Sequence, residues 1–319
     1  MSVLNQIREA CRQVAENGSY VRIDRDRLRQ YAATLPTAAL TAPVIDPRYH
    51  FLGHGPETVA YILTLDAINF GSGYSAALRK RSGLRGYFTI ASALRDRFEA
   101  KGPFSAKELT RLHAGTCAAL LGQEANDPAV MELLALFAAG LNDLGQWLLR
   151  RFDGSFSSAV HAAAGSAERL VTILDEMAFF QDIAQWNGVS VPFYKRAQIT
   201  AADLWLAFGG RTFGAFEDIG RLTIFADNAV PHVLRVDGVL VYSDTLASRI
   251  DAGESVDAGS VEEIELRAAA VHAAELILAE LGRHGRGVIA LELDNYLWHL
   301  RDHDRYRHLP AHRTRTVYY

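Results

Sequence analysis

The stretch LTIFADNAVPHVLR, residues 222–235, places a carboxylate, Asp227, directly after a run that is apolar enough to be buried. An ionised carboxylate at the edge of a core must be paired, hydrogen-bonded or neutralised, because desolvation favours the protonated form. Pro231 follows four residues later and indicates the start of a helix near that position. Asp227 therefore either caps this helix or holds a turn, or it faces a ligand that becomes cationic.

A second stretch, YHFLGHGPETVAYILTLDAINFGSGY at residues 49–74, also combines an apolar run with polar side chains. Pro56 suits the first turn of a helix, and the residues that follow are apolar on almost every side, which predicts a buried helix. Asp66 and Asn69 lie three residues apart near its end and share one face. They either bond each other and the carbonyls at the helix end, or they point at a polar ligand.

The segment FYKRAQI, residues 193–199, begins a predicted helix with two basic residues, Lys195 and Arg196. The positive end of a helix dipole already favours an anion at that position. A basic pair there is either solvated beside its aromatic neighbours or meets a negatively charged group.

Helical periodicity covers most of the remaining chain and predicts an all-α fold, mainly α with a small β-hairpin. Helical patterns are found at residues 3–17, from 87 to about 149, at 166–186 and at 260–283. The last of these reads as an amphipathic helix with Ser260 and Glu263 as a capping box. Residues 236–251 indicate a hairpin or strand pair around Asp237-Gly238. Because the predicted strands are few and local, the pattern disfavours a doubly wound sheet.

The composition is that of an ordinary globular protein and does not demand a nucleic-acid partner. The 319 residues include 33 Lys and Arg against 37 Asp and Glu, a formal charge of −4. A protein that grips a duplex usually has a basic excess or stripe. Cys11 and Cys117 suggest neither a disulfide framework nor a metal site. The first residues predict neither a signal peptide nor a membrane span, so we expect a soluble cytoplasmic protein.

The usual phosphate-binding loops and hydrolase motifs are absent from the sequence. We find no G-x-x-x-x-G-K-[ST], G-x-G-x-x-G, H-E-x-x-H or G-x-S-x-G. His113 is alone in a helical pattern, and the histidines near the C-terminus are loosely spaced among arginines. We therefore expect no metal and no cofactor.

Five stretches taken together resemble a known family. They are HFLG at 50–53, YILTLDAINFG at 61–71, FYKRAQI at 193–199, LTIFAD at 222–227, and LELDNYLW at 291–298 with the terminal TRTVYY. In this order they are similar to the queuosine 5'-phosphate N-glycosidase family of queuosine salvage proteins. We expect a single domain over residues 1–319, or two helical lobes with the ligand site between them.

The resemblance implies hydrolysis of the N-glycosidic bond of queuosine 5'-monophosphate, with release of the base queuine. It also implies a helical architecture like that of helix-hairpin-helix DNA glycosylases. ADNAVPHVLR, residues 226–235, is similar to the pattern that carries their catalytic aspartate. The Gly-rich hairpin that grips DNA in those enzymes is replaced here by FEDIGRLTIF, residues 216–225. We therefore expect a small-molecule substrate, no stable nucleic-acid binding and no membrane partner.

The implied chemistry assigns a role to each polar stretch. Asp227 is the predicted catalytic carboxylate, because breaking the glycosidic bond develops positive charge on the sugar. Asp294 is the second catalytic candidate. A carboxylate can also accept the two neighbouring donors of a guanine-type base edge, and Asp66 with Asn69, or Asp294, suits this role.

The remaining candidates would hold the base and the phosphate. Lys195, together with Arg196, is predicted to meet the 5'-phosphate. Four rings are predicted to sandwich the flat base: His50, Phe51, Phe70 and Trp298.

Two other functions remain open from the sequence. A nucleic-acid base-excision glycosylase would use the same aspartate but would need a basic groove. A non-catalytic helical protein could bind a nucleobase without turnover.

Overall fold

The computed structural model describes residues 1–124 and 126–319, and 58% of the chain is helical. Two short antiparallel strand pairs accompany the helices in the described residues. The predicted fold class, mainly α with a small β component, is confirmed. The helices are α1 (Val3–Asn17), α2 (Arg25–Thr34), α3 (Pro56–Ala67), α4 (Gly86–Lys101), α5 (Ala106–Leu109), α6 (Ala114–Leu121), α7 (Pro128–Phe152), α8 (Phe156–His161), α9 (Ala167–Leu174), α10 (Lys195–Ala207), α11 (Ala229–Val236), α12 (Asp244–Asp251), α13 (Val261–Arg283), α14 (Ala290–Leu300) and α15 (Asp304–Arg307).

The chain forms two compact units, each assembled from segments that are distant in sequence. Unit 1 consists of Met1–Pro43, Asp182–Lys195 and Gly220–Arg315. Unit 2 consists of Val44–Gln181, Arg196–Ile219 and Thr316–Tyr319. Lys195 and Arg196, which are consecutive in the chain, therefore belong to different units.

Helix α13 forms the centre of unit 1, where it packs against α1, α2, α11 and α14. The helix predicted at residues 260–283 is confirmed, and the Ser260 side chain caps it by accepting the N–H of Glu263 at 3.2 Å. Its predicted amphipathic character is wrong, because every residue from Glu263 to Ala274 is buried. Glu265 and Arg267 are therefore interior charges, and buried charges require partners.

The strand predicted beyond Asp237-Gly238 exists, but the local hairpin does not. Strand β4 (Leu240–Tyr242) pairs antiparallel with β1 (Val21–Ile23), close to the N-terminus. Asp237 and Gly238 form the turn that follows α11, and Gly238 has a φ of +76°. An alternating pattern predicts a strand but does not predict which strand it pairs with. Here the pairing strand, β1, is distant in sequence.

The true hairpin of unit 1 lies where the sequence predicted a continuous helix. Over residues 166–186 the helix ends at Leu174, and strand β2 (Ile183–Trp186) follows. It pairs with β3 (Val189–Pro192) across Asn187 and Gly188, whose φ values are +47° and +80°. Asn-Gly is the preferred pair for such two-residue turns, and this signal outweighs the helical spacing of the preceding residues.

Helices α3 and α7 form the core of unit 2. Helix α3 begins at Pro56 and is buried along almost its whole length, as predicted. Helix α7 packs against α3, α5, α6 and α8. A Cβ at Gly140 of α7 would lie 2.9 Å from the carbonyl oxygen of Ala67, so glycine permits the close approach of the two helices. Helix α7 is also long and apolar enough to cross a membrane by length and composition, and half of its apolar window is buried within the protein.

Candidate active site

Asp227 lies immediately before α11 in unit 1, at the end of the buried run from Leu222 to Ala226. Its Oδ1 accepts the N–H of Ala229 at 2.7 Å and that of Val230 at 3.4 Å, so this carboxylate caps the helix. Both of these hydrogen bonds use Oδ1 and leave Oδ2 uninvolved in the cap, and Asp227 is 9% exposed. One oxygen fixes the backbone while the other can meet a ligand, so the two roles expected for Asp227 are compatible.

Asp294 lies on α14 and is bonded to the segment that carries Asp227. Its Oδ1 accepts the backbone N–H of Phe225 at 2.8 Å. Burial, followed by the negative charge of Asp227, raises the pKa of Asp294 to about 8. The Phe225 N–H and the charges of Lys195 and Arg301 act in the opposite direction. Asp294 therefore holds a proton at pH 7, beside a second carboxyl group, an arrangement that suits acid catalysis.

Lys195 is the first residue of α10 and is buried. Its backbone N–H donates to Oδ2 of Asp182 at 3.1 Å. The preceding residue, Tyr194, has a φ of +49°, in the left-handed region that residues other than glycine rarely occupy. Because the positive charge of Lys195 lowers the pKa of Asp294, the cation and the two acids share one electrostatic environment.

Trp298 lies on α14 one helical turn beyond Asp294, so the two side chains project from the same side of the helix. It is half-buried, and the guanidinium of Arg301 lies 4.3 Å from the centre of its ring. Unit 1 thus brings together two carboxyl groups, an amine and an aromatic ring.

In unit 2, Asp66 and Asn69 bond each other at the end of α3. Oδ1 of Asp66 accepts the Asn69 amide at 3.3 Å, and Asp66 is fully buried. This is the contact expected if the pair serves the protein interior. The carbonyls at the helix end are bound by another side chain, that of Arg196.

Arg196 is fully buried and serves the end of α3. Its NH1 donates to the carbonyls of Asp66 at 3.0 Å and Ala67 at 2.9 Å, and its NH2 donates to the carbonyl of Phe179. The guanidinium also lies 5.0 Å from the ring centre of Phe70. Arg196 and Phe70 are therefore built into the core of unit 2, and Lys195 is the stronger candidate to contact a phosphate.

His50 and Phe51 are buried in an aromatic cluster of unit 2. The two ring nitrogens of His50 contact the carbonyl of Asp46 at 2.9 Å and the hydroxyl of Tyr87 at 3.0 Å. Burial lowers the pKa of His50, so the ring is neutral at pH 7. Phe51 stacks on His54 with ring centres 4.0 Å apart. Both rings thus have partners inside the protein.

Two residues next to the acid pair have no counterpart in the sequence predictions. Asp182 and Arg267 form a buried ion pair, with NH2 to Oδ2 at 2.7 Å. Asp182 lies in a stretch predicted to be helical, and Arg267 lies in a helix predicted to be amphipathic. Neither residue was therefore identified as part of the site. No group of three or more His, Cys, Asp or Glu side chains suited to a metal ion is found in the described part of the chain.

Comparisons with known proteins identify the relatives of this chain. The sequence model of the queuosine salvage protein family matches residues 49–319, which include every candidate residue above. A Sphaerobacter thermophilus protein named queuosine 5'-phosphate N-glycosylase/hydrolase is 36% identical over 314 residues, covering 97% of this chain and 96% of that protein. A Mus musculus protein of the same name is 30% identical over 338 aligned residues, covering 98% of each. The chain therefore belongs to the queuosine salvage protein family.

Proposed function

We propose that this protein hydrolyses the N-glycosidic bond of queuosine 5'-monophosphate and releases queuine. The observation that carries the proposal is the similarity, over 97% of the chain, to a relative named for this activity. The acid pair Asp227 and Asp294 supports it, because glycosidic hydrolysis requires a carboxylate near the sugar and benefits from a proton donor near the leaving group.

Asp227 is the proposed stabiliser of the cationic sugar. When the bond between C1' and the base nitrogen breaks, the electron pair leaves with the base and positive charge develops on the ribose. A carboxylate oxygen held beside the ring stabilises this charge electrostatically. Oδ2 is suited to the task because the bonds of Oδ1 to Ala229 and Val230 fix the carboxylate in place. The same oxygen can take the proton of the attacking water as its oxygen bonds to C1'.

Asp294 is the proposed proton donor of the pair. Queuine is a 7-deazaguanine, and the carbon at that ring position removes a common site for protonating the departing base. The proton of Asp294 must therefore go to another basic atom of the departing base, its ring nitrogen N3 or its carbonyl oxygen O6. The pKa of about 8 keeps Asp294 protonated at pH 7 for this transfer. The proton that Asp227 gains from water restores Asp294 after the base has left.

Lys195 and Trp298 are the proposed binding residues of unit 1. A buried amine at the first residue of α10 suits a phosphate, because the helix dipole adds to its positive charge. Trp298, half-buried and one turn beyond Asp294, supplies a surface on which a flat base can stack. Base stacking on an aromatic ring contributes roughly 1–3 kcal/mol.

The predicted binding residues of unit 2 have contacts that favour a role in the fold. Asp66 is fully buried, and Arg196 and His50 hold neighbouring backbone groups. We keep them as candidates for reading the base edge and stacking, to be tested by substitution together with Asn69, Phe51 and Phe70.

The proposed function is tested by incubating the protein with queuosine 5'-monophosphate and following free queuine by mass spectrometry. We expect release by the wild-type protein and a loss of about 10²–10³-fold or more in Asp227→Asn. Asp251→Asn is the matched control, because Asp251 is an exposed carboxylate of the same unit, paired with Arg235. Absence of release by the wild type would refute the proposed activity.

We further propose that the substrate is the free nucleotide in the cytoplasm rather than a nucleic acid. The formal charge of −4 and the replacement of the DNA-gripping hairpin by residues 216–225 support this. In a gel-shift experiment at low salt we expect no retention of tRNA or duplex DNA. Retention at micromolar protein would contradict the proposal.

A further inference from the structure

Asp182 and Arg267 form a buried ion pair at the centre of unit 1. NH1 and NH2 of Arg267 donate to Oδ1 and Oδ2 of Asp182 at 2.9 and 2.7 Å, the two-point geometry that a guanidinium makes with a carboxylate. Arg267 is 1% exposed and Asp182 is 3% exposed. Replacing such a pair by apolar residues is often neutral or stabilising, so stability alone is a weak reason for its presence.

The pair connects the two segments that carry the proposed site. The Nε of Arg267 donates to the carbonyl of Ala226, the residue before Asp227, at 3.0 Å. Oδ2 of Asp182, which already accepts from Arg267, also accepts the backbone N–H of Lys195 at 3.1 Å. A continuous chain of hydrogen bonds therefore runs from the backbone of Lys195 to the backbone beside Asp227.

We infer that Asp182 and Arg267 are positioning residues that fix the separation between the backbone of Lys195 and the backbone beside Asp227, from which the amine and the carboxylate project. This inference rests on the proposed function, in which Lys195 meets the 5'-phosphate and Asp227 meets the ribose. The phosphate and the anomeric carbon of a nucleotide are a fixed number of bonds apart. A site that holds its cation and its carboxylate at a matching distance aligns the sugar when the phosphate binds.

This arrangement lets the binding energy of the phosphate accelerate the chemical step. Binding energy from a remote group raises kcat only when it helps to orient the reacting centre. If the link between Lys195 and Asp227 is loosened, the phosphate still binds but no longer places C1' against Asp227. The loss is then expected in kcat rather than in KM.

The chemistry of arginine is required at position 267. A guanidinium has a planar set of five N–H donors, so it can bind both oxygens of Asp182 and the Ala226 carbonyl at once. Its Cζ atom also lies 3.9 Å from the ring centre of Phe193, which precedes Lys195 by two residues. A lysine keeps the charge but cannot make this set of contacts, so Arg267→Lys tests the geometry and not the charge.

The experiment measures kcat and KM for queuosine 5'-monophosphate in Arg267→Lys, in Lys195→Met and in the double variant. We expect Arg267→Lys to lower kcat about 10²-fold, with KM changed less. In the Lys195→Met background the same substitution is expected to cost only about tenfold, because residues that act through each other are not additive.

Asp237→Asn is the matched control for loss of a buried carboxylate in unit 1. Asp237 is 3% exposed and accepts from Arg305 at 2.6 Å and from Tyr306 at 2.9 Å, but neither partner leads to Ala226 or Lys195. We expect this variant to lose stability and to keep kcat within about threefold of the wild type, the range of a remote change. An equal loss of kcat in Asp237→Asn and Arg267→Lys would overturn the inference.

The remaining outcomes are also decisive. An unchanged kcat in Arg267→Lys, or the same loss with and without Lys195, overturns the positioning role while leaving the activity intact. If Arg267→Lys does not fold, Asp182→Asn serves the same test, and failure of both to fold assigns the pair to stability alone. A wild-type protein that releases no queuine refutes the proposed function itself, and with it this inference.

Discussion

Two arginines, Arg267 in unit 1 and Arg196 in unit 2, are almost equally buried and hold different kinds of partner. Arg267 binds the Asp182 carboxylate and the carbonyl next to Asp227. Arg196 binds carbonyls at the end of α3 and that of Phe179. Through Asp182, the first connects the segments that carry Lys195 and Asp227. The second completes a helix end. Burial of a charge alone therefore does not mark a site, and the identity of its partners is more informative.

The buried acids of the two units differ in the same way. Asp294 lies close enough to Asp227 for the charge of Asp227 to raise its pKa, which gives unit 1 a proton donor beside a carboxylate. Asp66 instead bonds Asn69 in the core of unit 2. These contacts favour the proposed chemical role for the two acids of unit 1 and a structural role for Asp66 in unit 2.

The largest expected effect is on the stability of unit 2. Arg196→Met should lower the free energy of unfolding by about 3–5 kcal/mol, because buried carbonyls at the end of α3 lose their donor. Urea denaturation measures this, with Arg150→Met on the exposed face of α7 as the control. If Arg196→Met had normal stability and a tenfold higher KM, Arg196 would be assigned to phosphate binding and not to the fold.

The next effect is on substrate use in unit 1. Lys195→Met should lower kcat/KM for the nucleotide about 10²-fold, since a hydrogen bond to a charged group contributes about 1.5–3 kcal/mol. Lys107→Met is the control, because Lys107 is an exposed lysine of α5. If the nucleoside lost as much activity as the nucleotide in Lys195→Met, the phosphate role would be wrong.

A smaller effect is expected at the stacking surface. Trp298→Ala should raise KM by about tenfold, consistent with the roughly 1–3 kcal/mol of a stacked base, and should change kcat less. Trp298→Phe keeps an aromatic face and should recover most of the affinity. Equal losses in the alanine and phenylalanine variants would indicate that the ring does not stack on the base.

The smallest effect is the pH dependence caused by Asp294. A donor with a pKa of about 8 is protonated below that pH, so kcat should be level between pH 6 and 7.5. Above pH 8 it should fall by about tenfold per pH unit as the proton is lost. Asp294→Asn should show a lower kcat without this descent, and a descent that survives the substitution would exclude Asp294 as its source.

The titration of Asp294 also determines whether the stability of the protein rises or falls with pH. Because the folded-state pKa of Asp294 is raised to about 8, the native state between about pH 4 and pH 8 retains a proton that the unfolded chain has already lost. The stability of the wild type relative to Asp294→Asn should therefore fall as pH rises through this window, by up to about 1.4 kcal/mol per pH unit. Urea denaturation at pH 5 and pH 8 measures the difference.

Much of the helical framework follows from local sequence, because helix periodicity and caps are local signals. The starts of α3 at Pro56 and of α10 at Lys195 are examples. The pairing of β4 with β1 could not be read in this way, since the two strands are separated by more than two hundred residues. The Asn187-Gly188 pair is a sequence signal for a hairpin turn, but the helical spacing of the preceding residues led to the prediction of a helix.

The candidate site was partly predictable for the same reason. Asp227 and Asp294 stand out as aspartates within apolar runs, and the structure places them in one unit with interacting charges. Asp182 and Arg267 were not recognisable, because a charge in a helical pattern is usually solvated. Only the tertiary contacts of α13 show that this pair is in the interior.

We propose that Asp227 of unit 1 takes part in the chemistry, whereas Asp66 of unit 2 supports the fold. The most direct test measures single-turnover release of queuine by Asp227→Asn and Asp66→Asn, with each variant confirmed to be folded. We predict a rate at least about 10²-fold below the wild type for Asp227→Asn, and a rate within about threefold for folded Asp66→Asn. An equal or larger loss of rate in Asp66→Asn would contradict the account.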